Sequence, residues 1–124
     1  MKIRDIMKSP AIAVRPDETV KKALDIMNKQ HINGTPIIDE ENHVIGIIVK
    51  ADIYRFLIDP GHYDTCPVEW VMTKEVVNVD ADEDIISAAK KLRKKDVIAM
   101  PVLDDGILVG TVSLEDFLDH FIKE

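Results

Sequence analysis

Ser113 and Asp116 stand three residues apart in GTVSLED (Gly110 to Asp116), directly behind an apolar run of strand character. A hydroxyl and a carboxylate at this spacing can act in two ways. A carboxylate accepts hydrogen bonds from two vicinal hydroxyls at once, and a helix starting beside it turns free backbone N–H groups towards phosphate. The same spacing also suits a helix cap, with serine capping and the acid at the third helical position. A second copy of the stretch, GIIVKAD (Gly46 to Asp52), keeps the acid as Asp52 but carries Val49 where the serine stood, followed by Lys50. Valine cannot cap, so capping alone leaves Asp52 unexplained. Lys50 is either a positive charge for a phosphate or a side chain pointing to water.

Little else in the chain could do chemistry. No nucleophile–base pair or phosphate-binding P-loop is visible. His31, His43, His62 and His120 show no metal-ligand spacing with one another or with Cys66, so neither a catalytic nor a metal site is expected. The single cysteine cannot close an internal disulfide, which fits a reducing compartment. The net charge of −7 disfavours nucleic-acid binding. The basic run KKLRKKD (Lys90 to Asp96) is expected as a solvated helix end, where cations suit the helix dipole. No apolar run reaches the ~18–20 residues of a membrane span, and MKIRDIMKSP lacks the apolar core of a signal peptide. A soluble, cytoplasmic chain is expected.

These residues are positioned by a duplication. Asp5–Ile53 aligns with Trp70–Phe117: Met7 falls on Met72, Val14 on Val79, Ala23 on Ala88 and Pro36 on Pro101, 65 residues on. After a turn shortened from DEENH to DDG the offset becomes 64, bringing Gly46 to Gly110 and Asp52 to Asp116. Trp70 stands opposite Ile6 by the duplication and is expected to pack. Each half begins with a short β-like run, IAV or VVNV, and a helix-start signal, PDETV or ADEDI. The stripes Val20, Ala23, Leu24, Met27 and Ile85, Ala88, Ala89, Leu92 have helical period. TPIID with VIGIIV, and MPVLD with ILVGTV, predict hairpins, and ADIYRFL and LEDFLDHFIKE predict closing helices. The order β-α-β-β-α thus occurs twice, in an α/β (α+β) chain: repeat 1 over residues 1–57, a linker over 58–67 and repeat 2 over 68–124. Each half alone is marginal in size, so the two are expected to pack sheet to sheet about a pseudo-twofold axis.

In this order and spacing, DIM and WVM, the openings before each helix, NGTPIID and IAMPVLD, and the paired endings resemble a tandem pair of CBS (cystathionine-β-synthase) domains, a Bateman module. The resemblance runs from Ile3 to about Phe121. It implies two βαββα repeats with clefts between them, frequent homodimerisation, and a regulatory role with catalysis elsewhere. It also implies an adenosine ligand: AMP, ADP, ATP or S-adenosylmethionine. In such modules the aspartate accepts from the ribose hydroxyls and the serine contacts ribose or phosphate, roles that fall on Asp116 and Ser113. The resemblance adds Glu18, Thr19 and Ala23 and the loop Ile32, Asn33 and Gly34 to that site, with Gly34 either admitting a base close to the backbone or serving as an ordinary turn. A weaker second site would use Asp52 and Lys50 with Val97, Ile98 and Ala99. Ile53, Phe56, Leu57, Phe117, Leu118 and Phe121 on the closing helices suggest a self-association face, hence a homodimer. Almost no chain lies outside the duplication, so the signal is expected to reach a regulated protein partner, or the chain is a piece of a larger one. The rival expectation is a protein-interaction scaffold with vestigial clefts and no nucleotide.

Overall fold

The structure, a computed structural model, describes residues 1–123. Its elements follow the duplicated order. They are helix α1 (Val20–Gln30), strands β1 (Gly34–Ile38) and β2 (Val44–Val49), helix α2 (Lys50–Ile58), strand β3 (Val79–Asp80), helix α3 (Ile85–Lys95), strands β4 (Ala99–Asp104) and β5 (Ile107–Ser113), and helix α4 (Leu114–Ile122). Short 3-10 turns at Ile3–Asp5 and Val68–Trp70 precede the repeats. No helix of the described residues is long and apolar enough to cross a membrane.

The first helix of each repeat forms for local reasons. The Thr19 hydroxyl accepts from the Lys22 N–H at 3.1 Å, and the Asp84 carboxylate from the N–H groups of Ile86 and Ser87 at 3.0 and 3.1 Å. Each cap satisfies donors that the helix itself leaves open. Both helices end on a left-handed residue, His31 and Asp96. The predicted stripes face inward: Val20, Ala23 and Met27 are buried in one core, Ile85, Ala88 and Leu92 in the other.

The hairpins are antiparallel, β1 with β2 and β4 with β5. The second closes through Asp105–Gly106, both at positive φ, the two-residue turn that matches strand twist. The opening β-like runs are shorter than the sequence suggested. VVNV contributes only Val79, which continues into Asp80 and pairs parallel to β4; IAV contributes only Val14, bridged to Ile37. Proline explains why the first run stops. The Ala81 N–H donates to the Leu103 carbonyl at 2.8 Å, but the matching residue in repeat 1 is Pro16, which has no N–H.

The chain packs as two compact units, residues 13–76 and residues 1–12 with 77–124. The first residues assigned to repeat 1, 1–12, are therefore built into the unit of repeat 2, and the linker with the first residues of repeat 2, 58–76, into the unit of repeat 1. In the first-named unit, Val68 N–H donates to Glu18 O (2.8 Å), Val20 N–H to Cys66 O (2.9 Å), and Ile47 and Thr73 exchange both backbone bonds. In the other, Ile3 N–H donates to Glu83 O (2.9 Å), Ile85 N–H to Met1 O (3.1 Å), and Lys8 and Thr111 exchange both. Asp64, Cys66 and Pro67, from the stretch expected as linker, all bond to the start of repeat 1.

Two glycines make this docking possible. A Cβ on Gly46 would lie 2.7 Å from the Met72 sulfur; one on Gly110 would lie 2.7 Å from the Lys8 carbonyl oxygen and 2.8 Å from the Met7 sulfur. Methionine can swing aside, but a carbonyl held in a backbone bridge cannot. Trp70 does not pack as expected: it is 63% exposed, because it matches Asp5 in the duplication, while Val71 matches Ile6. Among the closing-helix apolar residues, Ile53 and Phe117 belong to the cores, whereas Leu118 and Phe121 are exposed. Gly110→Ala is expected to cost about 1–3 kcal/mol through overpacking, measured as a drop in Tm of roughly 5–15 °C.

Candidate functional site

The start of α4 is the most connected polar feature of its unit. Asp116 is only 8% exposed. Its Oδ2 accepts from the Ser113 backbone N–H at 2.8 Å and from the Ser113 hydroxyl at 3.0 Å, while the Ser113 Oγ faces the Asp116 N–H at 3.3 Å. This is a complete capping box, so the capping expectation for the pair is met in full. The other oxygen, Oδ1, accepts from Lys8 Nζ at 2.6 Å. Lys8 reaches it because its backbone is held on both sides by Thr111, at 2.9 and 3.0 Å.

The matching start of α2 is built differently. Val49 has no side-chain bond to the helix, and Asp52 pairs with Arg55 one turn further along the same helix. Register explains the valine. Val49 lies opposite Gly34, whereas Ser113 lies opposite Ala99. A Cβ on Gly34 would sit 3.1 Å from Val49 Cγ1, so the larger residue on one strand is matched by the smaller one on the other. Val49 thus packs where a Gly34 side chain would begin.

Within each unit, the loop before the hairpin lies on that unit's own closing helix. The Lys50 N–H donates to the Asn33 carbonyl at 2.9 Å, and the Leu114 N–H to the Ile98 carbonyl at 2.8 Å. The structure thus brings Ile32, Asn33 and Gly34 beside Lys50 and Asp52, and Val97, Ile98 and Ala99 beside Ser113 and Asp116. Thr19 caps α1, and Glu18 accepts from the Arg15 N–H and pairs with Lys22 at 2.9 Å. Ala23 is fully buried in its core.

Lys8 was missed in the sequence reading, although a signal existed: the residue after the aligned methionines is Lys8 in one copy and Thr73 in the other. Arg55 was also missed; its counterpart 64 residues on is Asp119. A third omission is Thr35, whose hydroxyl is buried on β1 without a hydrogen-bond partner among the described residues. The Lys8 ammonium is held above the ordinary lysine value of 10.5, first by its hydrogen bond to Asp116; partial burial opposes this, and the charges of Asp116, Asp119 and Glu115 add to it. Elsewhere in this unit Arg4 ties the N-terminal segment to Asp82 at 2.8 Å and to Asp104 at 3.4 Å, which raises Arg4 and lowers Asp82. An open groove between α3 and α4 is floored by Ile86, Ala89 and Phe121 and edged by Lys90, Arg93 and Lys94.

The CBS domain model matches this chain twice, over residues 3–59 and 68–123. The chain belongs to the CBS domain family and is a tandem CBS pair of two βαββα-like repeats. It is similar to the solved CBS domain pair of protein MJ0100, in complex with 5'-methylthioadenosine and S-adenosyl-L-methionine. The TM-score is 0.88 at 31% identity, over 98% of this chain and 95% of that one. It shares its fold with CBSX2, solved in complex with AMP (TM-score 0.86, 21% identity, 98% of this chain and 96% of that one). It is 39% identical over 110 residues to inosine-5'-monophosphate dehydrogenase of Aquifex aeolicus, which is 86% of this chain and 22% of that protein. It is 32% identical over 115 residues to L-aspartate semialdehyde sulfurtransferase of Methanocaldococcus jannaschii, 92% of this chain and 22% of that protein. The chain therefore spans about a fifth of the length of these two enzymes.

The raised Lys8 value has a definite sign. Its stabilisation is fully present below the ordinary lysine value and is lost as pH rises through the higher folded value. The Lys8 side chain is 64% exposed, so the pair contributes at most about 1 kcal/mol. Wild type is expected to melt about 3 °C above Lys8→Met near neutral pH. That gap should close as pH rises past the ordinary lysine value of 10.5 and on through the higher folded value, in paired melting curves.

Proposed function

We propose that this CBS pair is a regulatory module that binds an adenosine compound (AMP, ADP, ATP or S-adenosylmethionine) and signals its presence to a protein partner. The observation that carries this reading is Asp116, a buried, capped carboxylate on the family motif that accepts ribose hydroxyls. The identity to MJ0100, itself solved with two adenosine compounds, supports it. In this reading Asp116 and Ser113 take the ribose. Glu18, Thr19, Ala23, Ile32, Asn33 and Gly34 are the further ligand residues proposed by resemblance. Asp52 with Lys50, Val97, Ile98 and Ala99 forms a weaker second site, since Val49 offers no hydroxyl. The ligand acts by population shift: it favours whichever arrangement of the chain it binds better, and that arrangement alters the surface shown to the partner. Catalysis has no place in it. In the competing scaffold reading, Asp116 serves only its helix.

A ligand at a hundred times its Kd adds about 2.7 kcal/mol of stability. An adenosine compound is therefore expected to raise Tm by roughly 5–15 °C, a shift that Asp116→Ala abolishes and Asp52→Ala largely spares. If no adenosine compound shifts the melt, the scaffold reading takes over.

The exposed apolar residues Leu114, Leu118, Phe121 and Ile122 on α4 favour self-association as part of this function. Light scattering is expected to give twice the chain mass of 14.0 kDa for wild type and a single chain mass for Leu118→Asp/Phe121→Asp.

A further inference from the structure

We infer that the Ser113–Asp116 site takes an adenosine compound with a phosphate at its 5' end, in preference to an uncharged or cationic one, and that Lys8 makes this choice. The inference rests on the adenosine reading above and names the ligand class within it.

A single carboxylate has a limited acceptor capacity. Its two oxygens offer about four lone-pair sites. Two are taken on Oδ2, by the Ser113 N–H at 2.8 Å and the Ser113 hydroxyl at 3.0 Å, and one on Oδ1, by Lys8 at 2.6 Å. A ribose diol brings two donors, so one existing donor must leave. The Ser113 N–H cannot leave without opening the cap of α4, and the Ser113 hydroxyl is kept beside Oδ2 because its oxygen accepts from the Asp116 N–H. The Lys8 ammonium can leave: its side chain is largely exposed on a flexible four-carbon stem. Its Cα stays in place, because both backbone groups of Lys8 remain bonded to Thr111.

A displaced ammonium is then tethered within a side chain's length of the bound ribose. A phosphate gives it a new partner, exchanging one charge-assisted hydrogen bond for another. An uncharged 5' group offers no such exchange, and a sulfonium meets a like charge. The negative charges of Glu115 and Asp119 also act on Lys8. They would repel a phosphate unless a cation stood between, and Lys8 is the cation the structure places against Asp116. At the α2 site the position after the methionine is Thr73, and the cation paired with Asp52 is Arg55, one turn along the same helix.

The test is calorimetric titration of the whole chain with AMP, 5'-methylthioadenosine and S-adenosylmethionine. Wild type is expected to bind AMP about tenfold or more tighter than the other two. Lys8→Met should lose most of that preference and Lys8→Arg, which keeps the charge, should retain it. Circular dichroism melts show that both variants are folded. Wild type binding 5'-methylthioadenosine or S-adenosylmethionine at least as tightly as AMP overturns the inference and leaves the adenosine reading standing. An unchanged preference in Lys8→Met also overturns it. Binding of none of the three by wild type overturns both.

Discussion

The absence of a side chain at Gly110 is the constraint on which this half of the molecule depends. The Lys8 carbonyl occupies the space where a Cβ would stand, and only this closeness lets Lys8 and Thr111 exchange backbone bonds. That bridge fixes the N-terminal segment, Met7 covers the glycine, and the Lys8 stem is aimed at the α4 N-terminus. The same construction at Gly46, Met72 and Thr73 shows that it is the organising contact of the repeat rather than a local accident. A glycine costs conformational entropy inside a strand; here that cost is offset by a backbone-to-backbone approach no other residue permits.

Once the scaffold is shared, the differences between the copies become interpretable as matched sets. Val49 with Gly34 and Ser113 with Ala99 are two ways of filling one cross-strand position. Asp52 with Arg55 and Asp116 with Lys8 are two ways of giving one carboxylate a cation, from its own helix or from a segment more than a hundred residues away in sequence. The two changes are linked by charge: where repeat 1 has Arg55, repeat 2 has Asp119, so in repeat 2 the cation comes from Lys8. Each carboxylate is a member of its own local network, which is why identical acids on identical folds need not have identical ligand chemistry.

Much of this was legible in the sequence. The stripes Val20–Met27 and Ile85–Leu92 report helices because their period is that of the helix, and the turn at Asp105–Gly106 reports its hairpin because few other residues adopt its backbone. The duplication itself carried the family. What remained hidden around Lys8 and Val49 depends on backbone contacts between separate segments, which leave almost no side-chain signature. The destination of Met7 and Lys8 is written only as a glycine at 110. The role of Val49 waits on the register that sets it against Gly34. Trp70 is expected to pack when set opposite Ile6, yet the structure leaves it in solvent, where its counterpart is Asp5.

Capping and ligand binding at Asp116 are not rival descriptions of one residue. A carboxylate that must accept a sugar diol works best if it does not have to be oriented when the ligand arrives. The Ser113 N–H and hydroxyl hold one oxygen in place through bonds that also stabilise the helix, so the orientation is set during folding. Among the described residues the second oxygen is held by an exposed lysine, which takes no part in the cap. One oxygen is thereby committed to the fold and the other left exchangeable. Asp52 lacks the first half of this arrangement: nothing from Val49 orients it, and its partner Arg55 rides on the same helix. The serine that distinguishes the second copy of the repeat thus separates a carboxylate prepared for exchange from one that is merely neutralised.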